Sequence, residues 1–321
     1  MSAMKNFVRA AMPLALLGTI FTSLSAVCAG QLSIGIITAA QIYSAISFLT
    51  CFLLIMSLLF LLDSVRSVKS FVDKGSKQVD VVALWNSLPM KSAMLTGSGV
   101  MALVIFSING NANLIEIYRS HTLVWQDRIL WNIEEPLFRT IISSNFLPLK
   151  FWETVYHMMW VYILFVMAAL VKQDRTESYM TFAIAIVLSF YCTTFIAMAF
   201  PVAGPQYYRP ELFGYLEGSV SKYLQDMLGS YQSGKIPQNG LFYGTMAMPS
   251  LHVALTAMAT WFVMRHWRPM LWCAIPCAGL IWLSTLVLAW HYALDGVAAI
   301  GMAWFCIACA KTTIRFSRCV A

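Results

Sequence analysis

Met246-Ala-Met-Pro-Ser-Leu-His252 and Trp290-His-Tyr-Ala-Leu-Asp295, with the apolar residues between them, form the stretch that decides the fold. Pro249 is favoured at a first helical position and the Ser250 hydroxyl can bond a free backbone N–H, so a helix is expected to begin here. Helix starts attract anions. His291 and Asp295 are four apart, which on a helix puts them on one face and lets the carboxylate reach the imidazole. Between the clusters, Trp267 to Ala289 is long enough to cross a bilayer, and the preceding helix crosses it in the other direction. Both histidines therefore return to the same side.

The rest of the chain fits that setting. Hydrophobic residues make up 60% and charged residues only 11%, with mean hydropathy +0.71. Such a composition excludes an ordinary soluble domain and indicates a polytopic, all-α membrane protein. The net charge of +7 does not indicate nucleic acid, because the basic residues lie in short loops and form no continuous groove. Cys51, Cys192, Cys273, Cys277, Cys306 and Cys309 fall inside apolar spans without metal-ligand spacing and read as small buried hydrophobes.

Eight spans are expected: Ala11 to Ala29, Ile42 to Leu62, Ala93 to Ile108, Phe151 to Val171, Tyr179 to Phe200, and about Ser250 to Met264, Met270 to Ala289 and His291 to Ala310. The first could be a signal peptide cleaved near Ala26 to Gly30, but no charged mature region follows, so an uncleaved helix is expected. From Asn109 to Lys150 the pattern turns amphipathic. Leu123, Trp125, Ile129, Leu130, Ile133, Leu137, Phe138 and Ile141 recur at helical spacing, with Asp127, Arg128, Glu134, Glu135 and Arg139 on the other side, as in a helix lying flat in the headgroup layer. Pro201 to Met248 is a long Tyr- and Gly-rich loop, and long loops in compact proteins are usually functional. Residues 1–92 read as an N-terminal two-helix addition with a charged cytoplasmic loop, and residues 93–321 as a six-helix catalytic core.

With the N-terminus cytoplasmic, 14 Lys and Arg fall on that side and 7 on the other, a bias that places both termini inside. Arg209, Ser250, His252, His291 and Asp295 then share the outer, extracytoplasmic face of a plasma (inner) membrane.

A phosphoester needs cationic or N–H groups around its non-bridging oxygens, an in-line nucleophile and a proton donor for the leaving oxygen. Arg209 can clamp a phosphate, and Ser250 with the free amides of its helix adds donors. His291, oriented by Asp295, could attack phosphorus through a phosphohistidine, and His252 could protonate the leaving alkoxide. Tyr208 and His157 are possible substrate contacts, while His121 and His266 read as structural. A zinc or nonheme metal site is the sharper rival, but no pair of histidines stands four apart on one helix.

Pro249-Ser-Leu-His252 and Ser284-Thr-Leu-Val-Leu-Ala-Trp-His291-Tyr-Ala-Leu-Asp295, preceded by Arg209-Pro210, resemble the three signature motifs of the type 2 phosphatidic-acid phosphatase superfamily. Within it, Ala247-Met-Pro-Ser-Leu-His-Val253, Phe200-Pro-Val-Ala-Gly-Pro205 and His291-Tyr-Ala-Leu-Asp-Gly296 are most similar to the branch containing fungal inositol phosphorylceramide synthase. The resemblance covers about residues 93 to 321. It implies His291 as nucleophile, Asp295 as its partner, His252 as acid, Arg209, Ser250 and Thr285 around the phosphate, membrane lipids as substrates, and no cofactor or metal. Val202 stands where the superfamily has lysine, Thr285 where many phosphatases have arginine, and Leu251 where glycine is usual. Fewer cations suit a diester, which carries one charge less than a monoester, so headgroup transfer between lipids is the expectation. Lipid phosphate phosphatase, with water as acceptor, and a non-catalytic lipid or anion transporter remain open. The loop from Pro201 to Met248 and the helix from Leu114 to Phe146 are expected to build the acceptor pocket.

Overall fold

A computed structural model describes residues 11–23, 39–73, 90–119, 125–144, 148–232 and 247–319. The region of Ala26 to Gly30, His121, Leu123 and residues 233–246 lie outside the described residues. All regular structure described is helical: α1 (Ala11–Ser23), α2 (Ala39–Asp73), α3 (Met90–Arg119), α4 (Asp127–Ser143), α5 (Leu149–Lys172), α6 (Thr176–Ala199), the single turn α7 (Pro205–Tyr208), α8 (Val220–Gln232), α9 (Leu251–His266), α10 (Leu271–Val287) and α11 (Ala293–Cys319). Among the described residues, five segments are long and apolar enough to cross a membrane: Ala45–Asp63, Leu149–Lys172, Thr176–Ala199, Arg268–Val287 and Ala293–Ser317. Of the other three expected spans, Ala93–Ile108 is a short apolar stretch within the longer α3, Ala11–Ser23 is the described part of the first, and the third is α9. At 16 residues α9 reaches ~24 Å, against the ~30 Å of a hydrocarbon core.

Two apolar clusters organise these elements. The larger is the bundle, in which α6 is buried around most of its circumference, as expected of a helix with no polar face. Outward-facing Trp272, Trp304 and Phe305 are more than half exposed, which suits a lipid-facing surface. Among the described cysteines only Cys306 is buried; Cys51 and Cys273 lie on the bundle surface, where lipid rather than protein makes an apolar surround. The smaller cluster caps one end of the bundle and joins Leu130, Trp131, Phe138 and Ile141 of α4 to Trp152, Val202, Phe213 and the 286–292 segment.

The bundle's opposite end is fixed by polar contacts. Lys172 pairs with Asp63, His266 Nε2 meets Ser178 Oγ at 2.8 Å, and Lys311 lies over the Trp261 ring. His266 thus bridges α9 to the start of α6. The chemistry-bearing residues gather under the cap instead.

Candidate active site

His252 owes its position to local sequence. Ser250 is the N-cap of α9, and its side chain accepts from Val253 N–H. This puts Pro249 one residue before the cap rather than at the first helical position, because the serine takes the cap itself. His252 falls in the first turn, where its ring lies 4.3 Å from that of Tyr156 on α5, with the Trp160 edge 6.3 Å away. Trp290 stacks on Tyr156 from another side at 6.1 Å. The ring centroids of His252 and His291 are 5.8 Å apart.

His291 stands on no helix. It occupies the turn between α10 and α11, two residues before α11 begins. Its Nδ1–H donates to Ala247 O at 2.7 Å. A carbonyl can only accept, so the Nδ1 proton is fixed and Nε2 is left with a free lone pair. Sequence spacing had given that orienting task to Asp295. The Asp295 carboxylate lies 3.6 Å from Nδ1, and its nearer bond is with Tyr292 N–H at 2.7 Å. The reason is geometric: Asp295 is the third residue of α11 and reaches back to the residue capping that helix. Its second oxygen is buried with no hydrogen bond.

The turn is held from both sides. Helix ends leave carbonyls and amides without intrahelical partners, and distant residues meet them here. Tyr215 donates to Val287 O at 2.6 Å, Gln225 Nε2 to Leu288 O at 2.8 Å and Gln206 N–H to Ala289 O at 3.3 Å. The amides of Ala293 and Leu294, which open α11, donate to Glu134 Oε2 and Oε1 at 2.6 and 2.7 Å. Asp127 accepts from the amides of Ala203 and Gly204 at 2.9 and 2.8 Å, and from the Tyr292 phenol at 3.2 Å. Gly204 has φ +112°, and a Cβ there would lie 2.7 Å from Trp290 O, so only glycine fits. Ala289 adopts the left-handed region at φ +54° without that excuse, at a cost of about 1–2 kcal/mol.

Asp127 and Glu134 correct the sequence expectation, which put them on the polar side of the amphipathic helix. Both are buried. The helix has three faces rather than two: Asp127, Leu130, Trp131, Glu134, Phe138 and Ile141 face the protein, Arg128, Asn132, Glu135 and Arg139 form a polar strip, and Ile129, Ile133 and Leu137 form an exposed apolar one. Burial pushes both buried carboxyls above their ordinary range, and the backbone donors pull them partly back.

Other candidates are less closely gathered. Arg209 follows α7, is half-exposed, pairs with Glu211 at 3.6 Å and lies over the Tyr208 ring. Tyr208 packs 6.1 Å from the Trp131 ring. Among the described residues, neither Arg209 nor Tyr208 bonds to or stacks on a histidine. His157 is exposed; its Nδ1 meets Glu153 O at 2.7 Å, and its ring touches Tyr156, one ring away from His252. Thr285 is the clearest departure: it is fully buried and its hydroxyl donates to Trp282 O at 2.7 Å. What Thr285 offers is its carbonyl, which accepts from Trp290 and His291 amides and shapes the turn. No group of three or more His, Cys, Asp or Glu able to hold a metal occurs among the described residues.

Sequence reasoning missed Tyr156, the Ala247 carbonyl and the two acids of α4. For the acids a signal was present: Asp127 and Glu134 are seven apart, in series with Trp131, Phe138 and Ile141 at alternating steps of three and four. The Ala247 carbonyl had none, because any residue type supplies one.

These features define a helical membrane protein with two facing histidines under an apolar cap that is braced by buried carboxylates. The PAP2 superfamily profile matches residues 121–309, and the chain belongs to that superfamily of phosphatases and phosphotransferases. The match begins just ahead of α4, short of the residue 93 suggested by sequence. No curated protein and no solved structure matches the chain significantly.

Proposed function

We propose that the protein transfers a phospho-headgroup from a lipid donor to a hydroxyl acceptor through a phosphohistidine at His291. The observation carrying this reading is the pair of imidazoles 5.8 Å apart, one with Nδ1 bound to Ala247 O so that Nε2 is free to attack. In the first half-reaction Nε2 bonds to phosphorus, the bond from phosphorus to the leaving oxygen breaks, and His252 gives that oxygen its proton. In the second, the acceptor hydroxyl yields its proton to His252 and its oxygen takes the phosphorus from nitrogen. Asp295, fully buried beside the ring, stabilises the positive charge that the phosphorylated imidazole acquires. Ser250 still has a hydroxyl proton to offer the phosphate, and Arg209 closes over it once drawn from Glu211.

A diester donor is favoured by what stands where the superfamily has cations. Val202 is fully buried in the cap cluster and Thr285 in α10, so neither position presents charge to a phosphate. With Ala247-Met-Pro-Ser-Leu-His-Val253, this supports a reaction of the inositol phosphorylceramide synthase kind, at the extracytoplasmic face and with both termini cytoplasmic. Residues 93–321 form the catalytic core in this reading, and 1–92 are the addition. Lipid mass spectrometry of cells with and without the gene tests it. A changed headgroup class supports transfer; accumulation of a lipid phosphate without the gene identifies a phosphatase instead.

A further inference from the structure

We infer that α4 is the positioning element of the active site, with Asp127 and Glu134 as its two working carboxylates. Neither acid contacts the histidine rings; each holds one segment that carries the site. Glu134 grips the Ala293 and Leu294 amides immediately after His291, across 159 and 160 residues of chain. Asp127 grips the Ala203–Gly204 turn that leads to Arg209, and through the Tyr292 phenol it reaches the residue next to His291.

Helix capping alone does not explain the arrangement. A helix start is ordinarily capped by a Ser, Thr, Asn or Asp beside it, as Ser250 caps α9. The cap position of α11 is instead Tyr292, whose side chain cannot serve its own helix. A buried carboxylate from another helix is a costly replacement unless fully hydrogen-bonded, and both acids are so bonded. Seven residues separate them, two turns and ~10.5 Å of helix, so one rigid rod fixes both segments relative to each other. The apolar strip of Ile129, Ile133 and Leu137 faces away from them. The same rod thus meets the lipid boundary on one face and the catalytic turn on another.

The inference rests on the phosphohistidine reading, so the test measures both. Purified full-length protein in detergent is mixed rapidly with p-nitrophenyl phosphate and, separately, methyl p-nitrophenyl phosphate, and the burst of nitrophenolate is followed. Burst amplitude counts competent sites, and burst rate reports how well each site is arranged. Glu134→Gln, which keeps one accepting oxygen, and Asp127→Asn are expected to keep the wild-type amplitude and KM while the burst rate falls on the order of 10-fold. Glu134→Ala is expected to lose on the order of 10²-fold in rate, the scale of a misplaced reacting group. Glu135→Gln, on the polar strip of the same helix, is expected to match wild type. A wild-type burst with unchanged rates in Glu134→Gln, Glu134→Ala and Asp127→Asn overturns the positioning role alone. Lower amplitude at unchanged rate also overturns it, because that is the mark of a merely structural contact. Nitrophenolate release that is undiminished in His291→Ala overturns both readings together.

Discussion

The two histidines of the site are held in opposite ways. His252 rides in the first turn of a regular helix, capped by a serine two residues before it, and a reader of four residues could place it. His291 rides on a turn with a left-handed alanine, whose backbone is fixed by Thr285, Tyr215, Gln206, Gln225 and Glu134, while Asp127 accepts from the neighbouring Tyr292 phenol. A proton donor tolerates small displacements because its hydrogen bond re-forms. An attacking nitrogen must stay in line, and alignment is where positioning contributes most. The more heavily braced ring is therefore the one assigned to attack.

Breaking the braced side should cost most. His291→Ala is expected to lower turnover on the order of 10³-fold or more, as for a removed nucleophile; steady-state assay of the purified variant checks it, and substantial residual turnover would return the nucleophile role to another group. His252→Ala should lose on the order of 10²-fold with alkoxide leaving groups. It should lose far less with p-nitrophenyl phosphate, whose leaving group needs no proton. Equal losses on both donors would remove the acid assignment and with it the contrast between the rings.

Smaller perturbations sharpen the same contrast. Gly204→Ala introduces a contact at 2.7 Å with Trp290 O and a strained φ. With left-handed strain alone at about 1–2 kcal/mol, a roughly 10-fold fall in kcat and a lower Tm are expected, measured by kinetics and thermal unfolding. Ser250→Ala removes one cap and one neutral donor. A loss of about 1 kcal/mol in helix stability and a several-fold rise in KM are the expected result, the smallest in the series. A larger effect from Ser250→Ala than from Gly204→Ala would invert the account of which ring needs more support.

How much of this was legible follows from the same contrast. Composition and apolar run length disclosed the membrane class, and the Pro-Ser-Leu-His segment disclosed its helix start, because those signals are local. Spacing brought Asp295 to His291 but not for the right reason: the four-residue interval works through a helix that begins only at Ala293. Asp127 and Glu134 were assigned to water because charged residues on amphipathic helices usually face it. Their true partners are orphan amides that appear only when α11 and the Gly204 turn are folded against them. Thr285 is expected around the phosphate, yet its hydroxyl bonds Trp282 O and its carbonyl shapes the turn, and a backbone atom leaves no mark in a sequence.

The central claim is a covalent bond between phosphorus and His291 Nε2. Acid-labile, base-stable label trapped from a ³²P-labelled phospholipid donor, followed by peptide mapping, reads it directly. The account predicts label on the peptide containing His291, present in wild type and missing in His291→Ala. Label retained in His291→Ala, or mapped to any other residue, would contradict it.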